Sequence, residues 1–309
     1  MRRYIIFYKI LIRLFPSYKK LFDAYFFEKI SFNRIFETQF NLFFHRKNTI
    51  AIGGYINTDN FGDALNVPLL KLLTSCKVAE VDCMLNEPDE NLFMIGSIIQ
   101  LCNRNTIVWG SGIISKDRLP TVEPKKILAV RGPLSRDILL SKGYDCTEIY
   151  GDPALLLPKY YNPKVKSKYS VGIIPHYMDK NHQVILSMNN DDVKVIDINS
   201  GRNWKSFVKQ VLECKSIVSS SLHGLIIADA YKTPNVWVEF SDNVIGDGFK
   251  FRDYFLSVNR EFTEPVNLKS FYNEKEIKNQ LNNWKCPEIN VDELYSSFPY
   301  PLRKAKFLF

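Results

Sequence analysis

The stretch IVSSSLHGLIIADAY, residues 217–231, decides the fold. Ile217 and Val218 close a β-branched run. Leu222, Leu225, Ile226 and Ala230 then recur at helical spacing, so the hydrophobic period changes inside residues 219–224. Strand, tight turn and helix in that order are the unit of a parallel α/β sheet. Such a turn leaves amide N–H groups at the positive end of the helix dipole, where an anion is stabilised. His223 stands at the same turn with a ring that titrates at about 6.5 when unperturbed. An anionic substrate and a proton donor can therefore meet there.

Outward from this junction the same pattern repeats. Residues 169–174, 193–198, 216–220 and 235–239 read as strands, separated by helices over 181–188, 204–214 and 222–231. Upstream, 48–55, 92–96, 106–110, 127–131 and 148–150 read as strands. A helix starts near Asp63, and another over 132–143 has Pro133 near its start and Gly143 at its end. The Pro-, Lys- and Tyr-rich segment 158–168 reads as a linker. Two α/β domains with parallel sheets follow, over 47–160 and 161–260, with a cleft between the carboxyl ends of their strands and a helical segment with a basic aromatic tail over 261–309.

At 309 residues, with 46% hydrophobic and 14% aromatic residues, each domain can bury its own core. The net charge of +8 is unevenly spread: residues 1–50 carry ten Lys/Arg against three Asp/Glu, leaving 31 against 30 for the rest. A nearly neutral body loses the electrostatic argument for nucleic-acid binding. The basic residues of 1–46 are interleaved with Tyr4, Phe7, Tyr8, Leu11 and Leu14, which share one helical face before Pro16. This predicts a basic amphipathic extension, packed on the protein or laid on an anionic membrane surface, the inner face of the plasma membrane in a cytoplasmic protein. Its apolar runs are too short to span a bilayer. The six cysteines lack CxxC spacing, so no disulfide framework, metal site or nucleophile is expected, although a need for a divalent metal stays open.

Four further loops at strand ends are denser in polar groups than a core requires. In residues 53–65, Gly54 allows close backbone approach and Asn57, Asn60 and Asp63 are placed to bind hydroxyls; the same loop also reads as a capping turn. Gly112 ends a small-residue turn. Arg131, at the end of a strand, is placed to clamp an anion or to pair with Asp152. Lys250 and Arg252, two apart in a glycine-bounded loop, point the same way if the segment is extended. His176, after residues 169–174, joins the same cleft.

NFGDAL at 60–65, AVRGPLSRD at 129–137, GDPALLLP at 151–158, GIIPHY at 172–177, SSSLHGLIIADAY at 219–231 and GDGFKFRDY at 246–254 together resemble the polysaccharide pyruvyl transferase family, close to its exopolysaccharide ketal-pyruvate members. The resemblance implies two Rossmann-like domains facing a cleft, as in two-domain (GT-B-like) glycosyltransferases. It implies transfer of the carboxyvinyl unit of phosphoenolpyruvate to a hexose of a polysaccharide or its lipid-linked precursor, with no tightly bound cofactor. His223 becomes the general acid. Ser219, Ser220, Ser221, Leu222 and Gly224, with His176, hold the donor, and Arg131, Lys250 and Arg252 neutralise its phosphate and carboxylate. Asp63 or Asp152 becomes the base, and Gly54, Asn57, Asn60, Asp63, Gly112 and Asp152 line the acceptor side. A nucleotide-sugar glycosyltransferase and a membrane-associated glycan-binding or metabolite-binding protein without turnover fit the same cleft.

Overall fold

The computed structural model describes residues 49–303 except 56–57, 82–89, 189–190, 202 and 261–263, together with Arg13. The expected extension 1–46 thus lies outside the described residues apart from Arg13, an exposed helical residue. Among the described residues no helix is long and apolar enough to cross a membrane.

Two five-stranded sheets, every pairing parallel, form the frame. The first comprises β1 (Thr49–Gly53), β2 (Lys77–Val81), β3 (Asn91–Phe93), β4 (Thr106–Trp109) and β5 (Lys126–Ala129), ordered β2-β1-β3-β4-β5. The second comprises β6 (Tyr169–Ile174), β7 (Val193–Val195), β8 (Cys214–Ser219), β9 (Asn235–Glu239) and β10 (Val266–Asn267), ordered β10-β9-β8-β6-β7. Counted within its own lobe, each sheet runs 2-1-3-4-5. Strand order reverses between the first and third strands, and at that switch point the loops leave in opposite directions and open a crevice at the carboxyl edge. The two switch points lie between β1 and β3 and between β6 and β8.

Helices cover both sheets. α1 (Phe61–Leu73) and α2 (Pro133–Ser141) belong to the first lobe; α3 (Gln183–Met188), α4 (Trp204–Leu212), α5 (Leu222–Ala230) and α6 (Phe249–Ser257) follow in the second half, then α7 (Glu274–Asn282) and α8 (Asp292–Ser296). α5 is buried almost all round, as the run LIIADA demands. Its carboxyl end is fixed by Asp229, a fully buried carboxylate that accepts from Tyr254 Oη at 3.0 Å, Asn235 Nδ2 at 2.6 Å and Arg260 Nη1 at 3.1 Å. α6 bridges the lobes. Phe249 joins the apolar cluster of Ile99, Val108 and Ile113, while Phe251 stacks on Trp237 with centroids 4.6 Å apart. The C-terminal segment returns to the first lobe, where Trp109 Nε1 donates to the Leu294 carbonyl at 2.9 Å and Leu302 bridges Thr74.

Several sequence expectations shift. Residues 148–150 make only an isolated bridge, Tyr150 to Val130. β2, whose Lys77 and Glu80 interrupt the apolar run, escapes a search for apolar strands because it is an edge strand. The expected linker starts later, since the 3-10 segment Pro153–Lys159 buries Leu155, Leu156 and Leu157. β10 falls beyond residue 260, the expected end of the second domain, yet pairs with β9. The segment expected to be extended around Lys250 is α6, its helical signal being buried Phe251, Tyr254 and Phe255 at spacings of three and four.

Candidate active site

The two switch points face one cleft of about 720 Å³. Tyr55, Asn60, Asp63, Gly96, Ser97 and Arg118 line it from the first lobe, and His176, Ser221, Leu222, His223, Asn243 and Lys250 from the second half. Every wall is a loop or helix start at a strand's carboxyl end, as the doubly wound topology dictates.

α1 begins at the cleft floor. Asn60 caps it by accepting from Gly62 N at 3.0 Å, and Asp63 lies in its first turn. Phe61 N donates to the Ile198 carbonyl at 2.8 Å, and Phe61 stacks on Phe207 of α4 with centroids 4.1 Å apart, so the helix start is locked onto the second lobe. Gly62 is required by the same contact: a methyl group there would stand 2.1 Å from Nδ1 and Cε1 of His223. The imidazole therefore lies flat against α1 backbone. Among the described residues its Nε2 is buried without a hydrogen-bond partner, 3.6 Å from Oδ2 of Asp152. Asp152 is itself buried, and its Oδ1 accepts from Ala154 N at 2.9 Å, which fixes the carboxylate that faces the ring.

Around His223 the burial of charge sets the proton affinities. Asp63 is pushed up from 3.8 to about 6 by burial, against the pull of His223 and Lys250. Lys250 is pushed down to about 8 by burial and by the Arg131 charge, with Asp63 opposing. His176 falls to about 4, chiefly by burial and then by Lys250, so it is neutral at physiological pH. Met178 N donates to His176 Nδ1 at 3.4 Å, which assigns the proton to Nε2. The cleft thus holds a carboxyl of raised proton affinity, an ammonium of lowered proton affinity and two imidazoles, the kind of grouping that marks a candidate site.

The serines divide their work. Ser219 Oγ bonds to the carbonyls of Ile174 and Ser221 and accepts from Ser221 N, while Gly224 leaves room for it, a methyl at 224 standing 2.3 Å from that oxygen. Ser220 Oγ donates to Asp179 and accepts from His176 N at 2.8 Å. These two shape the turn and carry the His176 loop; Ser221 and Leu222 face the cleft at the start of α5. Of the remaining sequence expectations, Asn60, Asp63, His176 and Lys250 line the cleft. Gly54 adopts φ 146 at the end of β1 beside Ile98, one residue before the cleft-lining Tyr55. Asn57 lies outside the described residues.

Two cations depart from expectation. Arg131 is buried and pairs with Asp253, not Asp152: Nε to Oδ2 is 3.0 Å, Nη2 donates to the Ile113 carbonyl at 2.7 Å, and Nη1 donates to Ser97 Oγ at 2.5 Å. Gly112 leaves the space this guanidinium occupies, a methyl there standing 2.3 Å from its central carbon. Arg131 therefore reaches the cleft through Ser97, and Gly112 packs against Arg131 rather than lining the acceptor side. Arg252 turns away from Lys250 because two residues on a helix are about 200° apart. It bonds to Glu264 at 2.7 Å and to the Asp247 carbonyl at 2.6 Å, and lies over Trp237. Sequence reasoning passes over Arg118, Ser97 and Gly62. Gly62 does carry a signal, a glycine in the first turn of a helix where it costs helix propensity.

Burial pushes the thiols of Cys102, Cys146 and Cys214 up to about 12, which leaves them protonated and poor nucleophiles.

Residues 20–242 match the family described as polysaccharide pyruvyl transferase. The chain is also 34% identical over 220 residues to the uncharacterized protein L143 of Acanthamoeba polyphaga mimivirus, covering 69% of this chain and 75% of the relative. The match takes in the cleft residues from Tyr55 to His223 and ends before Asn243 and Lys250, and the chain belongs to the polysaccharide pyruvyl transferase family.

Proposed function

We propose that the protein transfers pyruvate from phosphoenolpyruvate to two hydroxyls of one hexose in a surface polysaccharide or its lipid-linked precursor, forming a cyclic ketal. The observation that carries this reading is the meeting of Asp63, His223 and Lys250 between two facing switch points. Lys250 and the start of α5 at Ser221 and Leu222 meet the donor's phosphate and carboxylate. His223, supported by Asp152 and pressed against Gly62, donates a proton to the methylene carbon, which becomes the ketal methyl. Positive charge develops at the adjacent carbon, and a hexose hydroxyl oxygen bonds to it. Asp63 takes that hydroxyl's proton, its proton affinity near neutrality suiting a general base. The carbon–oxygen bond to phosphate then breaks as the second hydroxyl oxygen adds. Inorganic phosphate leaves, and of the two hydroxyl protons one is balanced by the new C–H bond and one by protonated phosphate or solvent.

Two Rossmann-like lobes set face to face, as in GT-B glycosyltransferases, suit a reaction that joins a small anionic donor to a larger sugar. A basic extension at 1–46 on the anionic inner leaflet would keep the enzyme beside lipid-linked acceptors. The deciding experiment incubates the protein with phosphoenolpyruvate and a panel of synthetic and lipid-linked hexosides, read by mass spectrometry and phosphate release. Ketal formation adds a carboxyethylidene unit and frees one phosphate per product; a product heavier by a sugar, formed from a nucleotide sugar, would overturn the proposal.

A further inference from the structure

A second cavity of about 780 Å³ adjoins the cleft, and Arg118 and Ile245 line both. Its size is that of a small-ligand site, roughly 300–1,000 Å³. Between the two runs the turn Gly246, Asp247, Gly248, in which all three residues have positive φ, at 100°, 46° and 71°. Gly246 is held there because a side chain would stand 2.2 Å from the Ile114 carbonyl oxygen. Asp247 holds a left-handed position that glycine adopts more easily. Asp247 lines the second cavity, is exposed, and its carboxylate makes no hydrogen bond or ion pair among the described residues. The same holds for Lys116, and Leu256, 40% exposed, supplies an apolar face. With Lys116, Arg118 and Arg252 and the acids Asp117 and Asp247 around an apolar face, the cavity offers charged groups of both signs to hydroxyls beside a surface for the C–H face of a sugar ring.

We infer that this cavity binds the sugar residues of the acceptor beyond the hexose that receives pyruvate. The acceptor chain would leave the cleft past Arg118 and Ile245, so the protein selects oligosaccharides over monosaccharides. The inference rests on the pyruvyl-transfer reading but is tested separately from it. Isothermal titration with a ladder of galactose, glucose and mannose oligosaccharides of one to four residues should show affinity rising about tenfold or more with length. In Asp247→Gly, which relieves the left-handed strain, and in Lys116→Ala, whose side chain is exposed, most of that rise should disappear while circular dichroism stays unchanged. Where turnover with phosphoenolpyruvate is measured, kcat/KM should follow the same length dependence, with the monosaccharide rate and the donor KM unaltered in both variants. Affinity independent of length, or a length dependence that both variants retain, overturns the subsite. Titration showing the length dependence with no transfer from phosphoenolpyruvate would overturn the donor assignment and leave the subsite standing.

Discussion

Replacing Asp63 by Asn should make the protein more stable and less active. Burial holds the Asp63 carboxyl at about 6 against 3.8 in the unfolded chain. At roughly 1.4 kcal/mol per pH unit, keeping the charged form in the cleft costs about 3 kcal/mol. The sign follows from proton binding. Between about pH 4 and pH 6 the folded state holds the proton that the unfolded state has released, so wild-type stability falls as pH rises through this window and stays lower above it. An amide of the same shape has no proton to lose. The Asp63→Asn variant should therefore exceed wild type by about 3 kcal/mol at pH 7.5 and by only about 1 kcal/mol at pH 4.5. Urea denaturation at the two pH values measures both differences, with the slope of each transition checked for equality. Turnover with phosphoenolpyruvate should drop in the same variant by about 10²- to 10⁴-fold, the range for loss of a general base. A variant no more stable than wild type at pH 7.5, or one whose advantage does not shrink at pH 4.5, would refute the account of Asp63 as a charge buried at an energetic cost.

Further outcomes follow from the same geometry. His223→Gln should lower turnover by about 10²- to 10⁴-fold with little change in unfolding midpoint. Gly62→Ala should act on the same ring, since the added methyl must displace the imidazole; steady-state kinetics would show a turnover loss of at least about tenfold with near-native circular dichroism. Arg131→Met leaves the Asp253 carboxylate buried without its cation and should cost about 3–5 kcal/mol in chemical denaturation; a variant of native stability that only weakens donor binding would restore Arg131 as a substrate clamp. The profile of kcat/KM for phosphoenolpyruvate should rise with pH through about 6 as Asp63 ionises and fall above about 8 as Lys250 loses its proton. A profile flat from pH 7 to pH 9.5 would remove Lys250 from donor recognition.

The legible parts of this protein are those where one local rule dominates. At residues 217–231 a change of period, three serines and a histidine fall in consecutive positions, and the structure has strand, turn and helix there. NFGDAL reads as a cap, and Asn60 does accept from Gly62 N. What escapes is decided between segments distant in sequence. Nothing local to Arg131 says that Asp253, 122 residues on, occupies its guanidinium, or that Gly112 is small to admit it. Lys250 and Arg252 fall together only if their segment is extended, whereas the buried aromatic spacing 251, 254, 255 favours a helix. Nothing local marks Arg118, which the folded chain places in the lining of both cavities.

The Arg131–Asp253 pair, the main departure from expectation, also explains how the site holds a usable cation. Asp253 lies one helical turn beyond Lys250 on α6 and binds Arg131 at the end of β5; its Oδ1 and Oδ2 also take Ser135 N at 2.8 Å and Ser135 Oγ at 2.7 Å in α2. α6 is thereby fastened to the first lobe, and Lys250, on the same helix, is brought to face Asp63 across the cleft. The guanidinium also acts on Lys250 through its field. A lysine left at its ordinary proton affinity would pair firmly with Asp63 and be harder to draw onto a substrate anion; the buried Arg131 charge disfavours the ammonium and, with burial, brings it to about 8. On the proposed reading, an incoming phosphate would relieve that penalty by adding negative charge beside Lys250. On the proposed pyruvyl-transfer reading, Arg131 would serve donor binding without touching the donor, as a positioning residue whose contact is Asp253 and whose charge acts on Lys250.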